Sequence, residues 1–180
     1  MITLVLGGTR SGKSEVAERL AARDSRSVTY VATGQPVDAE MAERIAVHQA
    51  RRAEADDVVW STVELGSLEM DLPEVLCTQT GSVLVDSLGT WVAGRSELEP
   101  DVVRLCDVLH QRRHLGSRTV LVSEEVGLGV HPVTEVGRRF ADVLGQLNRS
   151  VAEVVDQVLL VVAGRVLPLD RWDEASSTWR

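Results

Sequence analysis

The segment Gly7-Gly8-Thr9-Arg10-Ser11-Gly12-Lys13-Ser14 satisfies the G-x-x-x-x-G-K-[ST] pattern at every fixed position. Its flanks constrain the fold further. Ile2-Thr3-Leu4-Val5-Leu6 is a short apolar, partly β-branched run that predicts a buried strand. The stretch Ser14 to Arg23 predicts a helix with Val16, Ala17, Leu20 and Ala21 on its inner face. Strand, glycine loop and helix in that order make a phosphate cradle: backbone N–H groups and the helix N-terminus face the phosphate oxygens, and the Ser14 hydroxyl is available to Mg²⁺.

Lys13 is the sole lysine of the chain, every other basic side chain apart from histidine being arginine. A chain that otherwise uses arginine and keeps one lysine here needs a compact ammonium on a flexible stem, reaching the β- and γ-phosphates as a point charge. Its side chain is expected near the surface.

With 180 residues, 44% of them hydrophobic, the chain fits one domain with an ordinary core. A formal net charge of −8 argues against nucleic acid or anionic membrane as partner, both of which call for a basic field. No run approaches the ~20 apolar residues of a membrane span, and the sequence opens on a core strand, so the expected location is cytoplasmic. Cys77 and Cys106 lack C-x-x-C or zinc spacing and are expected as buried free thiols.

Apolar β-type runs recur at Ile2 to Leu6, Ser27 to Ala32, Ser82 to Val85, Thr119 to Val122 and Gln157 to Ala163. Helical patterns lie between them at Ser14 to Arg23, Asp38 to Ala53, Pro100 to Gly116 and Thr134 to Asp156, the last with a break expected near Gly145. Such alternation predicts an α/β fold of the P-loop type, its parallel sheet buried on both faces. The expected domain is 1–169. Residues 170–180 turn polar and read as a docked or frayed tail.

The strand Val83-Leu84-Val85 ends in Asp86, which beside a P-loop is a candidate Mg²⁺ ligand together with Ser14. A second acidic strand end, Ser123-Glu124-Glu125, could also face the site, since open α/β sheets bind ligands beyond the carboxyl ends of their strands; the other reading leaves one of these glutamates merely solvated. Helical spacing puts Arg44, His48 and Arg52 on one stripe. Facing solvent, that stripe is an ordinary polar helix face. Facing the P-loop, its arginines clamp phosphate oxygens and His48 attacks phosphorus, a role suited to a side chain that is neutral and nucleophilic near pH 7. His110 and His114 stand four apart but next to Arg112 and Arg113 with no carboxylate, which favours a solvated face over a metal site. His131 lies in a loop, and Trp60 and Trp91 read as packing residues.

Six ordered segments together resemble the bifunctional adenosylcobinamide kinase and adenosylcobinamide-phosphate guanylyltransferase family. They are the P-loop, Tyr30-Val31-Ala32-Thr33-Gly34, Arg44-Ile45-x-x-His48-x-x-x-Arg52 with Trp60-x-Thr62-x-Glu64, the strand ending at Asp86, Glu125-Val126-Gly127-x-Gly129-Val130-x-Pro132, and Arg139-Phe140-x-Asp142-x-x-Gly145-x-x-Asn148. The resemblance implies a RecA-like sheet and two reactions of cobalamin biosynthesis. A nucleoside triphosphate, ATP or GTP, phosphorylates the corrinoid adenosylcobinamide, and GMP then passes from GTP to the phosphorylated corrinoid through a covalent intermediate on His48. It further implies nucleotide contacts at Gly7, Gly8, Thr9, Arg10, Ser11, Gly12, Lys13 and Ser14, at Thr33, Gly34 and Gln35, at Gln49, Ala50, Arg51 and Arg52, and at Glu64 and Asp86. A homo-oligomer, commonly a trimer, is implied as well.

The chain departs from the family's pattern in the run Ser87-Leu88-Gly89-Thr90, where cysteine-leucine-threonine-leucine is usual, and at Glu124, where asparagine is common. Glu124 adds negative charge near the phosphates. Other readings are a monofunctional small-molecule kinase, which would not need His48, and a nucleotide-regulated binding protein without turnover.

Overall fold

The structure, a computed structural model, describes residues 1–34, 43, 46, 47, 49–52, 58–67 and 70–171. Among the described residues seven strands form one sheet: β1 (Ile2–Gly7), β2 (Ser27–Ala32), β3 (Val59–Glu64), β4 (Ser82–Asp86), β5 (Thr119–Glu124), β6 (Gln157–Val162) and β7 (Arg165–Leu169). Their spatial order is β3-β2-β4-β5-β1-β6-β7. All pairings are parallel except that of β7 with β6. The α-helices with both ends among the described residues are α1 (Lys13–Ala22), α2 (Leu72–Thr78), α3 (Leu88–Ala93), α4 (Val102–His114) and α5 (Glu135–Val154).

Alternation along the central strands divides the core between two layers. Ile2, Leu4 and Leu6 of β1, Val83 and Val85 of β4 and Leu121 of β5 pack on one face with Leu76 of α2, Leu88 of α3, Leu109 of α4 and Leu147 of α5. Val5, Leu84, Val120 and Val122 point to the other face and meet Ala17 and Ala21 of α1, flanked by Val16 and Leu20. The inner face expected for α1 is therefore the one that packs. Strands with apolar neighbours on both sides need the near-continuous hydrophobic runs seen here, which is the signature of a covered parallel sheet.

Two strands and two helices went unread in the sequence. β3 is an edge strand with four of its six residues exposed, so its apolar content is thin. β7 continues from β6 through a tight turn in which Ala163 and Gly164 both have positive φ, and the expected strand Gln157 to Ala163 ends one residue earlier. α2 is short, but its start is written in the sequence. Asp71 caps the helix, with Glu74 reaching back to the Asp71 N–H at 3.0 Å, and a proline lies in the first turn. α5 runs unbroken through Gly145, where the backbone has open space around it, so the expected break is absent. The helical pattern expected over Asp38 to Ala53 and the segment beyond Arg171 lie largely outside the described residues; residues 49–52 are helical.

Arg112 corrects the reading of α4. Its sequence neighbours favour a solvated face, yet it is 2% exposed. Its Nε donates to Thr119 Oγ1 at 2.8 Å, and its Nη atoms donate to the carbonyls of Leu76 at 3.0 Å, Gly81 at 2.9 Å and Gln79. One guanidinium thereby satisfies the carbonyls at the end of α2 and the turn that follows. Burial lowers its pKa to about 10. Cys77 is exposed and Cys106 half-buried, against the expectation of two buried thiols; α2 turns the Cys77 position away from the core.

Candidate active site

Parallel register gathers the site at one edge of the sheet. Gly7 at the end of β1 stands beside Glu124 at the end of β5, Asp86 pairs in register with Val122 and with Ala32, and Ala32 pairs with Glu64 of β3. The P-loop, Glu124, Asp86, Thr33 and Glu64 therefore follow one another along the carboxyl ends of successive strands. Strand spacing of about 4.8 Å leaves Glu64, two strands from Asp86, at the rim.

Within the loop, Gly12 takes φ 94°, a left-handed conformation that lets the chain turn directly into α1. The Gly164 N–H donates to the Ser11 carbonyl at 2.9 Å, so the β6–β7 turn braces the loop from outside. Ser11 Oγ is buried with no hydrogen-bond partner among the described residues. Lys13 is 7% exposed, deeper than the expected surface position. Its Nζ folds back over the loop to donate to the Gly8 carbonyl at 3.4 Å and lies 3.7 Å from Glu124 Oε1. Ser14 follows at the start of α1, half-buried.

The β4 end is held by a network of hydroxyls. Thr33 Oγ1 donates to the Ser87 carbonyl at 2.6 Å and accepts from the Ser87 N–H at 2.8 Å. Ser87 in turn caps α3, its side chain accepting from the Thr90 N–H. The Asp86–Ser87 peptide bond is cis. Asp86 Oδ2 accepts from the hydroxyl of Tyr30 at 3.3 Å. Burial, reinforced by the Asp86 carboxylate, holds the Tyr30 phenol well above its ordinary pKa. The Arg52 guanidinium stacks on the Tyr30 ring 3.8 Å from its centroid and lies 5.9 Å from the centroid of the Trp60 ring.

Of the Arg44, His48, Arg52 stripe, Arg52 is described; His48, Arg44 and Gln35 lie outside the described residues. Arg52 is 6% exposed, and its Nη1 donates to Glu18 Oε1 at 3.2 Å. Arg51 Nε donates to Glu18 Oε2 at 2.6 Å, while Gln49 and Ala50 are exposed. Glu18, itself 6% exposed, thus ties the turn after His48 to α1, next to the Asp86 pair. Sequence reading passed over Glu18. The available signal was a carboxylate one residue after Ala17 on the packed side of α1, where an unpaired charge would be costly.

His110, His114 and His131 are exposed, and no cluster of three or more metal-ligating side chains occurs among the described residues. Trp91 is buried and donates through Nε1 to Asp71 Oδ1 at 2.7 Å, so it packs as expected. Asn148 of α5 accepts from Ser123 Oγ at 2.6 Å and donates to the Glu124 carbonyl at 3.0 Å, fixing the end of β5 from beneath.

A family model described as "Cobinamide kinase / cobinamide phosphate guanyltransferase" matches residues 3–169. The chain belongs to this family. It is 38% identical to the bifunctional adenosylcobalamin biosynthesis protein CobP of Pseudomonas aeruginosa, across 94% of this chain and 97% of that protein. It is 33% identical to the bifunctional adenosylcobalamin biosynthesis protein CobU of Escherichia coli, across 91% of this chain and 97% of that one. Among solved structures, the KaiC-like protein PH0186 of Pyrococcus horikoshii resembles it with a TM-score of 0.51 and 13% identity, over 89% of this chain and 71% of that chain, a likeness of fold alone. The family makes the chain a transferase, and its single-domain α/β architecture is that of a P-loop protein.

Proposed function

We propose that the chain phosphorylates adenosylcobinamide with a nucleoside triphosphate and then transfers GMP from GTP to the phosphorylated corrinoid, the guanylyl group passing through His48. The observation that supports it most is the convergence, on one sheet edge, of Lys13, Asp86 and the Glu18-anchored turn that immediately follows His48. In this reading the triphosphate lies along Gly7 to Ser14, with Lys13 on its β- and γ-phosphates and backbone N–H groups on the rest. The buried, unpartnered Ser11 hydroxyl suits a loop built to meet phosphate oxygens.

Ser14 and Asp86 offer hard oxygen donors, which fit Mg²⁺. Bound there, the ion would neutralise charge on the phosphates. Everything else in the reading falls to side chains. Thr33 and Ser87 hold the Asp86 peptide in place, and Tyr30 fixes the Asp86 carboxylate. Arg52, bound to Glu18 and Tyr30, anchors the histidine segment, which leaves Arg44 to counter charge at the α-phosphate. In guanylylation a His48 ring nitrogen forms a bond to the α-phosphorus of GTP as pyrophosphate leaves, and an oxygen of the corrinoid phosphate then displaces the imidazole. Glu64, Gln35, Gln49 and Ala50 belong to the guanine-nucleotide side of the site. Residues 1–169 make up the working domain and 170–180 a tail. A homo-oligomer, a trimer by family likeness, and a cytoplasmic location complete the proposal; no described helix is long and apolar enough to cross a membrane.

The test is turnover of the purified chain with adenosylcobinamide, Mg²⁺ and either ATP or GTP, followed by mass spectrometry. Sequential gain of a phosphate and then of GMP is expected. Chelation of Mg²⁺ should stop both gains, and Asp86→Asn should slow them at least tenfold, about 1.4 kcal/mol. Phosphate gain without GMP gain would reduce the protein to a kinase.

A further inference from the structure

We propose that Glu124 is the proton acceptor of the phosphoryl-transfer step, an assignment that rests on the two-reaction reading above. One carboxylate stands against the ammonium of the phosphate loop, on a scaffold shaped to hold it there. Glu124 ends β5 opposite Gly7. Its Oε1 is 3.7 Å from Lys13 Nζ, and its side chain keeps 26% exposure, so it meets both the loop and the open rim of the site.

The scaffold is made by Ser87 and Gly89. Ser87 Oγ lies within donating distance of both carboxylate oxygens, at 2.9 and 3.0 Å, and the Gly89 N–H donates to Oε2 at 3.1 Å. A Cβ at position 89 would come within 2.0 Å of Oε2 and 2.9 Å of Cδ. The carboxylate therefore occupies room that exists because residue 89 is glycine. Gly89 lies in the Ser87-Leu88-Gly89-Thr90 run, and the fold brings that run into contact with Glu124. The neighbouring acids are engaged elsewhere: Asp86 accepts from Tyr30, and Glu125 Oε1 accepts from the Gly127 N–H at 2.9 Å.

The chemistry follows from this placement. The acceptor hydroxyl oxygen of the corrinoid side chain forms a bond to the γ-phosphorus, and the bond from that phosphorus to the β,γ-bridging oxygen breaks, its electron pair leaving with the nucleoside diphosphate. The hydroxyl proton passes to a Glu124 oxygen and from there to water. Lys13, between the carboxylate and the γ-phosphate, screens their repulsion. The groups facing Glu124 are the Lys13 ammonium from α1, Ser87 Oγ and the Gly89 N–H from the start of α3, and, on its backbone carbonyl, Asn148 of α5. Lys13 is the charged one among them.

Glu124→Gln in the full chain tests the assignment, with phosphorylation of adenosylcobinamide and nucleotide affinity measured side by side. The kcat for phosphorylation should fall about 100-fold, while nucleotide Kd moves less than about threefold. Gly89→Ala, which displaces an unaltered carboxylate, should lower kcat in the same direction with unchanged circular dichroism. A Glu124→Gln kcat within threefold of the parent, whether or not nucleotide binds more tightly, would show that the carboxylate only holds Lys13. If the parent phosphorylates and the variants match it, this proposal alone fails; if the parent shows no phosphorylation, the two-reaction reading fails with it.

Discussion

Lys13 places one buried ammonium within reach of Glu124 and of the loop carbonyl at Gly8. Removing it deletes the point charge on the β- and γ-phosphates, so Lys13→Ala should lower both half-reactions at least 100-fold, about 2.7 kcal/mol. The fold should survive, because Glu124 retains the Ser87 and Gly89 donors and partial access to water. Normal GTP turnover in a variant with unchanged circular dichroism would contradict a phosphate role for the loop. Tyr30 offers a second single-residue test, since it is the only tyrosine. Its folded pKa is raised above the ordinary 10.0, first by burial and then by Asp86. The stability it contributes is therefore complete below the unfolded pKa of about 10 and declines as pH rises above it. Absorbance at 295 nm should show no tyrosinate in the folded protein at about pH 11 and normal ionisation near pH 10 in concentrated urea. Ordinary titration in the folded state would remove the Tyr30–Asp86 contact from the account.

At the scale of elements, the buried strands and long helices were legible because each carries its period plainly. β1, β2, β4 and β5 are apolar runs bounded by turn residues, and α5 repeats its apolar positions over 20 residues. The misses share a physical cause: elements completed by long-range contacts leave little local pattern. β3 needs β2 beside it, α3 has six residues, and β7 draws its order from β6 and a tight turn. Arg112 is the sharpest case, since a charge in the sequence reads as solvent until the fold supplies four acceptors around it. Arg112→Met would strand the carbonyls of Leu76, Gln79 and Gly81 and should cost about 3 kcal/mol. The urea midpoint should drop by about 1–2 M with m unchanged. A shift under about 0.3 M would show that the guanidinium is not the clasp between α2 and α4.

For the whole molecule, parallel register turns five separated stretches of sequence into one edge, and that much of the site could be read from motif order: the P-loop, Asp86 and the paired acids at 124 and 125. The Glu18 anchor, the Tyr30–Asp86 pair and the Gly89–Glu124 fit could not, because each joins residues far apart in the chain whose types are unremarkable alone. The architecture also separates the two reactions. In the proposed reading phosphorylation uses the P-loop edge alone, whereas guanylylation also uses His48; Arg51 and Arg52, which follow it in sequence, are tied to Glu18 of α1. The most direct measurement is a comparison of the parent with His48→Ala, each incubated with α-labelled GTP and, separately, with adenosylcobinamide and a nucleoside triphosphate. The parent should acquire acid-labile, alkali-stable label mapping to His48, and the variant should acquire none while still phosphorylating adenosylcobinamide. Covalent label persisting in His48→Ala, or mapping to His110, His114 or His131 in the parent, would contradict the account.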